Sequence, residues 1–91
     1  MSKYQIPTSN GKVKVTPAQF DAALNWQGRT ELEPDLPRRV HEVFYERDNW
    51  ANGQRRCCTA LIEKGVLHKV GEAGFVLGEE ARAHLDFYRY H

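Results

Sequence analysis

The stretch from residue 59 to residue 77 constrains the fold of this chain more than any other part of it. It begins with helix-forming residues and reaches Gly65, a residue that commonly ends a helix in the left-handed conformation. Two runs of strand-forming residues, 66–70 and 75–77, follow on either side of a glycine-bounded turn, the pattern of a β-hairpin. A further helix signal begins at Glu79. The sequence therefore predicts helix, hairpin and helix in this order.

The first helix has a distinct start signal. Thr16 is a good N-cap, Pro17 suits the first helical position, and Gln19 completes a capping box. Gly28 supplies a stop. The pattern predicts a helix over residues 17–27.

Two more helices are predicted before the hairpin. Pro37 opens the second, with Asp35 as its cap and with apolar residues at helical spacing. A polar segment is expected to end this helix near Asp48, and we expect the apolar side chain of Trp50 to fold back and fill the turn. The third helix is expected to run from about Asn52 to Lys64. The expected inner residues of the two helices are Val40, Val43 and Phe44, then Cys58, Leu61 and Ile62.

The remaining residues are expected to add only a short strand to the helices and the hairpin. Residues 1–11 are polar and turn-rich, which predicts a loose N-terminal arm, and residues 12–91 are expected to form one small domain. The alternation of polar and apolar side chains in residues 12–15 predicts a short strand.

No apolar run approaches the roughly 20 residues that cross a bilayer, and the N-terminus lacks a signal-peptide pattern. We expect no membrane contact and a cytoplasmic location.

The charge of the chain gives only a weak indication of nucleic-acid binding. Thirteen basic and twelve acidic side chains leave a net charge of +1, whereas a strong nucleic-acid binder is usually more basic. Basic residues nevertheless concentrate between positions 38 and 69, which predicts a modest basic patch.

The two cysteines, Cys57 and Cys58, are adjacent in sequence, so a disulfide between them would close no loop. We therefore expect two reduced thiols.

The predicted order of elements gives an α+β fold class and resembles the winged helix-turn-helix superfamily: a three-helix core, a short β-hairpin wing and a C-terminal helix. The resemblance covers about residues 12–88 and is strongest over 57–86, where the end of the third helix and the wing strands are similar to those of bacterial winged-helix regulators. Gly78 departs from the usual helix cap, which is Ser, Thr or Asp.

The resemblance implies that the third helix enters the major groove of duplex DNA. Arg, Asn, Gln and Thr are residue types that contact base edges or phosphates. A small transcriptional regulator, or an accessory factor of a phage or other mobile element, is the implied function. The implied groove-facing residues are Asn52, Gln54, Arg55, Arg56 and Thr59, and the implied phosphate-binding residues are Arg38, Arg39 and Lys69.

Two alternatives stay open at this stage. The short turn 71–74 carries Glu72 where DNA-binding wings usually carry a basic residue, which favours a protein-binding adaptor or inhibitor built on the same scaffold. Arg55 and Arg56 also fit a solvated helix face with no ligand.

The last helix carries two apolar stripes. A terminal helix in a small domain can bury only one of them against its own core, so the other indicates a homodimer or another protein partner. The aromatic residues assigned to that partner surface are Phe87, Tyr88 and Tyr90.

Catalytic and metal chemistry have little support in the sequence. The four histidines are scattered and do not stand at metal-ligand spacing with the cysteines. No glycine-rich phosphate loop is present, and neither cysteine has an obvious base beside it. We therefore expect no enzyme activity, no bound metal and no cofactor.

Overall fold

The computed structural model describes the backbone of residues 4–90 and the side chains of residues 4–88. Within that range the chain forms four helices and two antiparallel two-stranded hairpins, which confirms the predicted α+β class. The elements in chain order are β1 (Tyr4–Thr8), β2 (Gly11–Val15), α1 (Pro17–Arg29), α2 (Val40–Val43), α3 (Asn49–Glu63), β3 (Leu67–Val70), β4 (Gly74–Leu77) and α4 (Glu79–Tyr90).

The N-terminal segment is a hairpin strand from residue 4 onward, so the loose arm predicted for residues 1–11 is wrong there. β1 pairs with β2, and Ile6 lies opposite Val13. The Ile6 side chain is fully buried and anchors the hairpin to the core. The polar residues that suggested an arm form the turn instead: Thr8 Oγ1 donates to the carbonyl of Gly11 over 2.6 Å. Gly11 adopts φ +111°, which other residues rarely adopt.

The capping box predicted for α1 is confirmed. The Gln19 amide donates to Thr16 Oγ1 over 3.1 Å, and the Thr16 amide donates to Gln19 Oε1 over 3.1 Å. The predicted stop at Gly28 is wrong, because the helix continues through it to Arg29. It ends at Thr30, whose hydroxyl donates to the carbonyl of Trp26 over 2.8 Å.

The second helix is much shorter than predicted and begins at Val40 rather than Pro37. The reason is tertiary. Arg38 pairs with Phe75 of β4 through two backbone hydrogen bonds, 3.0 Å from the Arg38 amide and 2.8 Å from the Phe75 amide. Residue 38 must be extended to make this bridge, so the predicted Asp35 cap has no helix to cap. Val43 and Phe44 are buried as expected, with Val40 packed against them.

The third helix starts three residues earlier than predicted, at Asn49. Asp48 lies in the segment that we expected to end the second helix, and it is the N-cap of the third: Asp48 Oδ1 accepts from the Ala51 amide over 2.8 Å. Trp50 lies in the first turn, half-exposed, with its ring 6.0 Å from that of Phe44. Gly65 follows the helix with φ +81°, as predicted for a left-handed stop.

The second hairpin and α4 follow the predicted order. Leu67 of β3 lies opposite Leu77 of β4, and both are buried. The unusual glycine before α4 has a steric explanation, because a Cβ on Gly78 would lie 2.7 Å from Nε2 of His68. A residue with a capping side chain would not fit there without moving His68.

All the larger elements share one core. Its largest fully buried side chains are those of Trp26, Phe44, Ile6, Leu61, Leu67 and Leu85. α1 packs along α3, and α4 packs against β1 and α1. Over residues 4–90, no helix is both long and apolar enough to cross a membrane.

Candidate nucleic-acid interface

The outer face of α3 presents a short polar row. Asn52, Arg56 and Thr59 are all exposed. They stand at positions i, i+4 and i+7, so they lie on one side of the helix. The opposite side, with Ala51, Cys58 and Leu61, is buried in the core. The hydrophobic core thus fixes which face of α3 meets the solvent.

This polar row forms one wall of a cleft of about 800 Å³. The start of α2 and the β3–β4 hairpin form the other walls. Three arginines and a histidine border the cleft, and no carboxylate of the described side chains does. The lining residues are Arg39, Val40, His41, Asn52, Arg55, Arg56, Thr59, Ala73 and Phe75. The site is therefore a cation-lined depression that also has the apolar side chains of Val40, Ala73 and Phe75 in its lining.

Arg55 faces the cleft but is held by the chain itself. Its Nη1 donates to the backbone carbonyls of Phe44 and, over 2.9 Å, of Glu46. Its Nη2 donates to Oδ1 of Asn52. The guanidinium therefore ties the turn before α3 to the helix, and it has fewer N–H groups left for a ligand than Arg56. The prediction that Arg55 is an open groove-facing side chain needs this correction.

Gln54 is not a groove-facing residue, contrary to the prediction. It is 6% exposed and points toward α1. Its Oε1 accepts from Nδ2 of Asn25 over 3.3 Å, and its Nε2 donates to Oδ2 of Asp21 over 3.3 Å. A polar residue on the inner side of α3 is tolerated because these bonds satisfy its amide. The amide serves the packing of α3 on α1.

The three predicted phosphate-binding residues fall in different places. Arg39 is exposed at the cleft, with its Nε 3.9 Å from Glu42 on the same helix, a weak surface pair. Arg38 is half-buried, and its Nη2 lies 3.8 Å from Glu33, outside the cleft. Lys69 is exposed on β3 but does not line the cleft. Of the three, only Arg39 lines the cleft together with the polar row of α3.

Sequence reasoning missed four cleft residues: Val40, His41, Ala73 and Phe75. They line the cleft because the Arg38–Phe75 bridge brings the start of α2 against the hairpin. No local pattern encodes that bridge. It is a consequence of tertiary pairing between residues 37 positions apart in the sequence.

The predicted partner surface on α4 is partly buried. Ala81 and Leu85 belong to the core, so one of the two apolar stripes predicted for the last helix is buried at these positions. Tyr88 is half-exposed, with its ring 5.1 Å from that of Phe20 and 5.1 Å from that of His84. Phe87 is 60% exposed. The side chain of Tyr90 lies outside the described residues.

The cysteine thiols are in environments that oppose activation. Burial raises the pKa of Cys58 to about 12. Burial also raises the pKa of Cys57, with the Asp21 carboxylate adding to the effect. Both shifts keep the thiols protonated, the reverse of what a nucleophile needs. Among the side chains that the structure describes, no group of three or more His, Cys, Asp or Glu residues could hold a metal ion.

Comparison of the chain with models of known protein families, with curated proteins and with solved structures gives no match. The case for a function therefore rests on the geometry of the cleft and on the residues around it.

Proposed function

We propose that this protein binds duplex DNA in the manner of a winged-helix domain, with α3 as the reading helix and the β3–β4 hairpin as the wing. The order of α1, α2, α3 and the hairpin supports the proposal. The pairing of Arg38 with Phe75 adds to it, because it fastens the chain before α2 to the hairpin that flanks α3. A transcriptional regulator, or an accessory factor of a phage or other mobile element, working in the cytoplasm, is the role that fits such a domain.

The observation that carries the proposal is the charge of the cleft. Arg39 and Arg56 are exposed on two different walls and no carboxylate of the described chain lines the space between them. Positive charges around a depression focus the potential there and attract an anionic ligand even when the net charge of a protein is near zero. A DNA backbone supplies such an anion, and with the backbone bound there the polar row of α3 would meet the base edges beside it.

The test is the salt-dependent affinity for a duplex of random sequence, measured by fluorescence anisotropy at several salt concentrations. We expect Arg39→Ala and Arg56→Ala each to weaken binding by on the order of tenfold and to lower the salt slope by about 0.9 for each phosphate that the variant no longer neutralises. Lys12→Ala is the matched control, since Lys12 is an exposed cation outside the cleft. An absence of salt-sensitive binding by the wild type would contradict the proposal.

A protein-binding adaptor is the second candidate, and two surface features favour it. The hairpin turn exposes Glu72 beside the cleft, and α4 exposes Phe87. An aromatic side chain on an outer helix face suits a contact with a second copy of the chain or with another protein. Light scattering on the wild type and on Phe87→Ser tests the homodimer: a wild-type dimer that becomes monomeric in the variant supports it, and a monomer in both rules it out.

A further inference from the structure

The Asn52 amide has a fixed orientation. A guanidinium has only N–H donors, so the atom of Asn52 that faces Nη2 of Arg55 must be the acceptor Oδ1. The Nδ2 donors of Asn52 are consequently turned away from Arg55. Asn52 is exposed and lines the cleft, so these donors are available to a ligand.

Arg56, the next residue of the polar row, also offers only donors. Arg56, one turn along α3, carries five N–H donors and no acceptor. Thr59, at the end of the row, has a hydroxyl that can donate or accept. Oδ1 of Asn52 is the strongest acceptor in the row, and the positive guanidinium of Arg55 occupies one of its lone pairs. The first two turns of the row thus present hydrogen-bond donors outward.

We infer that α3 selects guanine over adenine at the base pairs that it faces, because Arg55 holds Asn52 as a donor. The inference rests on the proposed DNA-binding function. In the major groove guanine shows two acceptors, O6 and N7, whereas adenine shows the N7 acceptor and an N6 amino donor. An asparagine that pairs with adenine needs its Oδ1 to accept from N6. Here that oxygen is engaged, and the adjacent guanidinium repels the amino hydrogens.

Arg55 is in this view a positioning residue. Its guanidinium is held by the backbone carbonyls of Phe44 and Glu46. These acceptors belong to the protein, so they are the same whatever DNA sequence is bound. The carbonyls fix the guanidinium, the guanidinium fixes the Asn52 amide, and the amide reads the base. Arg56 adds an independent contact to guanine, since a guanidinium can bind O6 and N7 together.

The experiment selects duplexes from a random library with the full-length protein and then measures affinities for the best sequence. A guanine at the selected positions is replaced by 7-deazaguanine, which lacks the N7 acceptor, and in a separate probe by adenine. We expect both probes to bind about tenfold more weakly. Asn52→Asp keeps an acceptor for Arg55 but removes the donors, so we expect it to lose or reverse the preference for guanine over adenine at the base pair that residue 52 faces. A ratio of two affinities is unaffected by the uniform loss that an added negative charge causes.

Thermal melting followed by circular dichroism checks that Asn52→Asp is folded. Should that variant unfold, the 7-deazaguanine and adenine probes test the inference with the wild type alone. Selection of adenine at these positions, or equal affinity for the 7-deazaguanine probe, overturns the inference and leaves DNA binding standing. Failure of the wild type to bind any duplex in a salt-sensitive way overturns the proposed function and the inference with it.

Discussion

Arg55 Nη1 lies 2.9 Å from the backbone carbonyl oxygen of Glu46 and also donates to the carbonyl of Phe44, so a side chain of α3 holds the turn that precedes its own helix. Removing it leaves two carbonyls without their donor. We expect Arg55→Ala to lower the free energy of unfolding by about 1–2 kcal/mol. Arg56→Ala removes an exposed guanidinium and should change it by less than about 0.5 kcal/mol. Urea denaturation measures both, and equal losses would contradict the structural role of Arg55.

The features that the sequence predicts well are those set by local chemistry. The capping box of Thr16 and the left-handed Gly65 depend on a few neighbouring residues, and both occur as predicted. Gln54 shows where residue type misleads: it stands at positions i, i+4 and i+7 with Cys58 and Leu61, so helix geometry places it on the inner side of α3 although its side chain is polar. Arg55 finds its carbonyl partners only after the turn before α3 is formed. The cleft as a whole depends on such tertiary contacts, so only part of it could be predicted.

Gly74 lies where the hairpin passes closest to the segment before α2. A Cβ at this position would lie 2.5 Å from Cβ of Pro37 and 3.1 Å from its backbone carbonyl carbon. Neither atom is the end of a flexible side chain, so we expect Gly74→Ala to destabilise the protein by roughly 1–3 kcal/mol.

Gly53 is the matched control for this substitution. It lies within α3, and a Cβ there would have no atom within 4 Å. Gly53→Ala should therefore stabilise by about 0.5–1 kcal/mol through helix propensity. Thermal melting of the two variants checks the pair, and a Gly74→Ala protein that melts at or above the wild-type temperature would show that the hairpin has room there.

Glu46 and Arg29 form the closest ion pair of the described chain. The Arg29 guanidinium donates to both carboxylate oxygens, over 2.7 and 3.1 Å, and lies 5.0 Å from the ring centroid of Trp50. The hydrogen bonds from Arg29 lower the pKa of Glu46 below its ordinary 4.5. The unfolded chain therefore binds a proton before the folded one does as the pH falls.

The contribution of this pair to stability is thus fully present above about pH 4.5 and is lost as the pH falls through the folded-state pKa of Glu46. Glu46→Gln should be less stable than the wild type at neutral pH and should lose less stability on acidification. Glu63→Gln removes the same charge at an exposed position at the end of α3 and should keep the acid dependence of the wild type. Urea midpoints between pH 3 and 7 measure the three curves, and parallel curves for Glu46→Gln and the wild type would refute the assignment.

The two cysteines should differ in reactivity although they are adjacent. Cys58 is fully buried, and burial raises the pKa of its thiol to about 12, so it should resist a thiol reagent at pH 8 until the protein unfolds. Cys57 is half-buried, with a pKa that burial also raises, and should react slowly. A thiol titration with and without denaturant, repeated on Cys57→Ser, measures this. Rapid reaction of Cys58 in the native protein would contradict it.

The last prediction concerns the acidic hairpin turn and depends on the proposed function. Glu72 is exposed in the hairpin turn next to Ala73, which lines the cleft, so a phosphate backbone bound at the cleft would pass near its negative charge. Glu72→Lys replaces repulsion by attraction at this point. We expect the variant to bind duplex DNA more tightly and to steepen the salt slope by about 0.9 for one additional neutralised phosphate. Glu63→Lys makes the same change in charge on an exposed residue outside the cleft and should have a smaller effect. An equal gain in both variants would mean that net charge alone governs the affinity and that the hairpin does not approach the DNA.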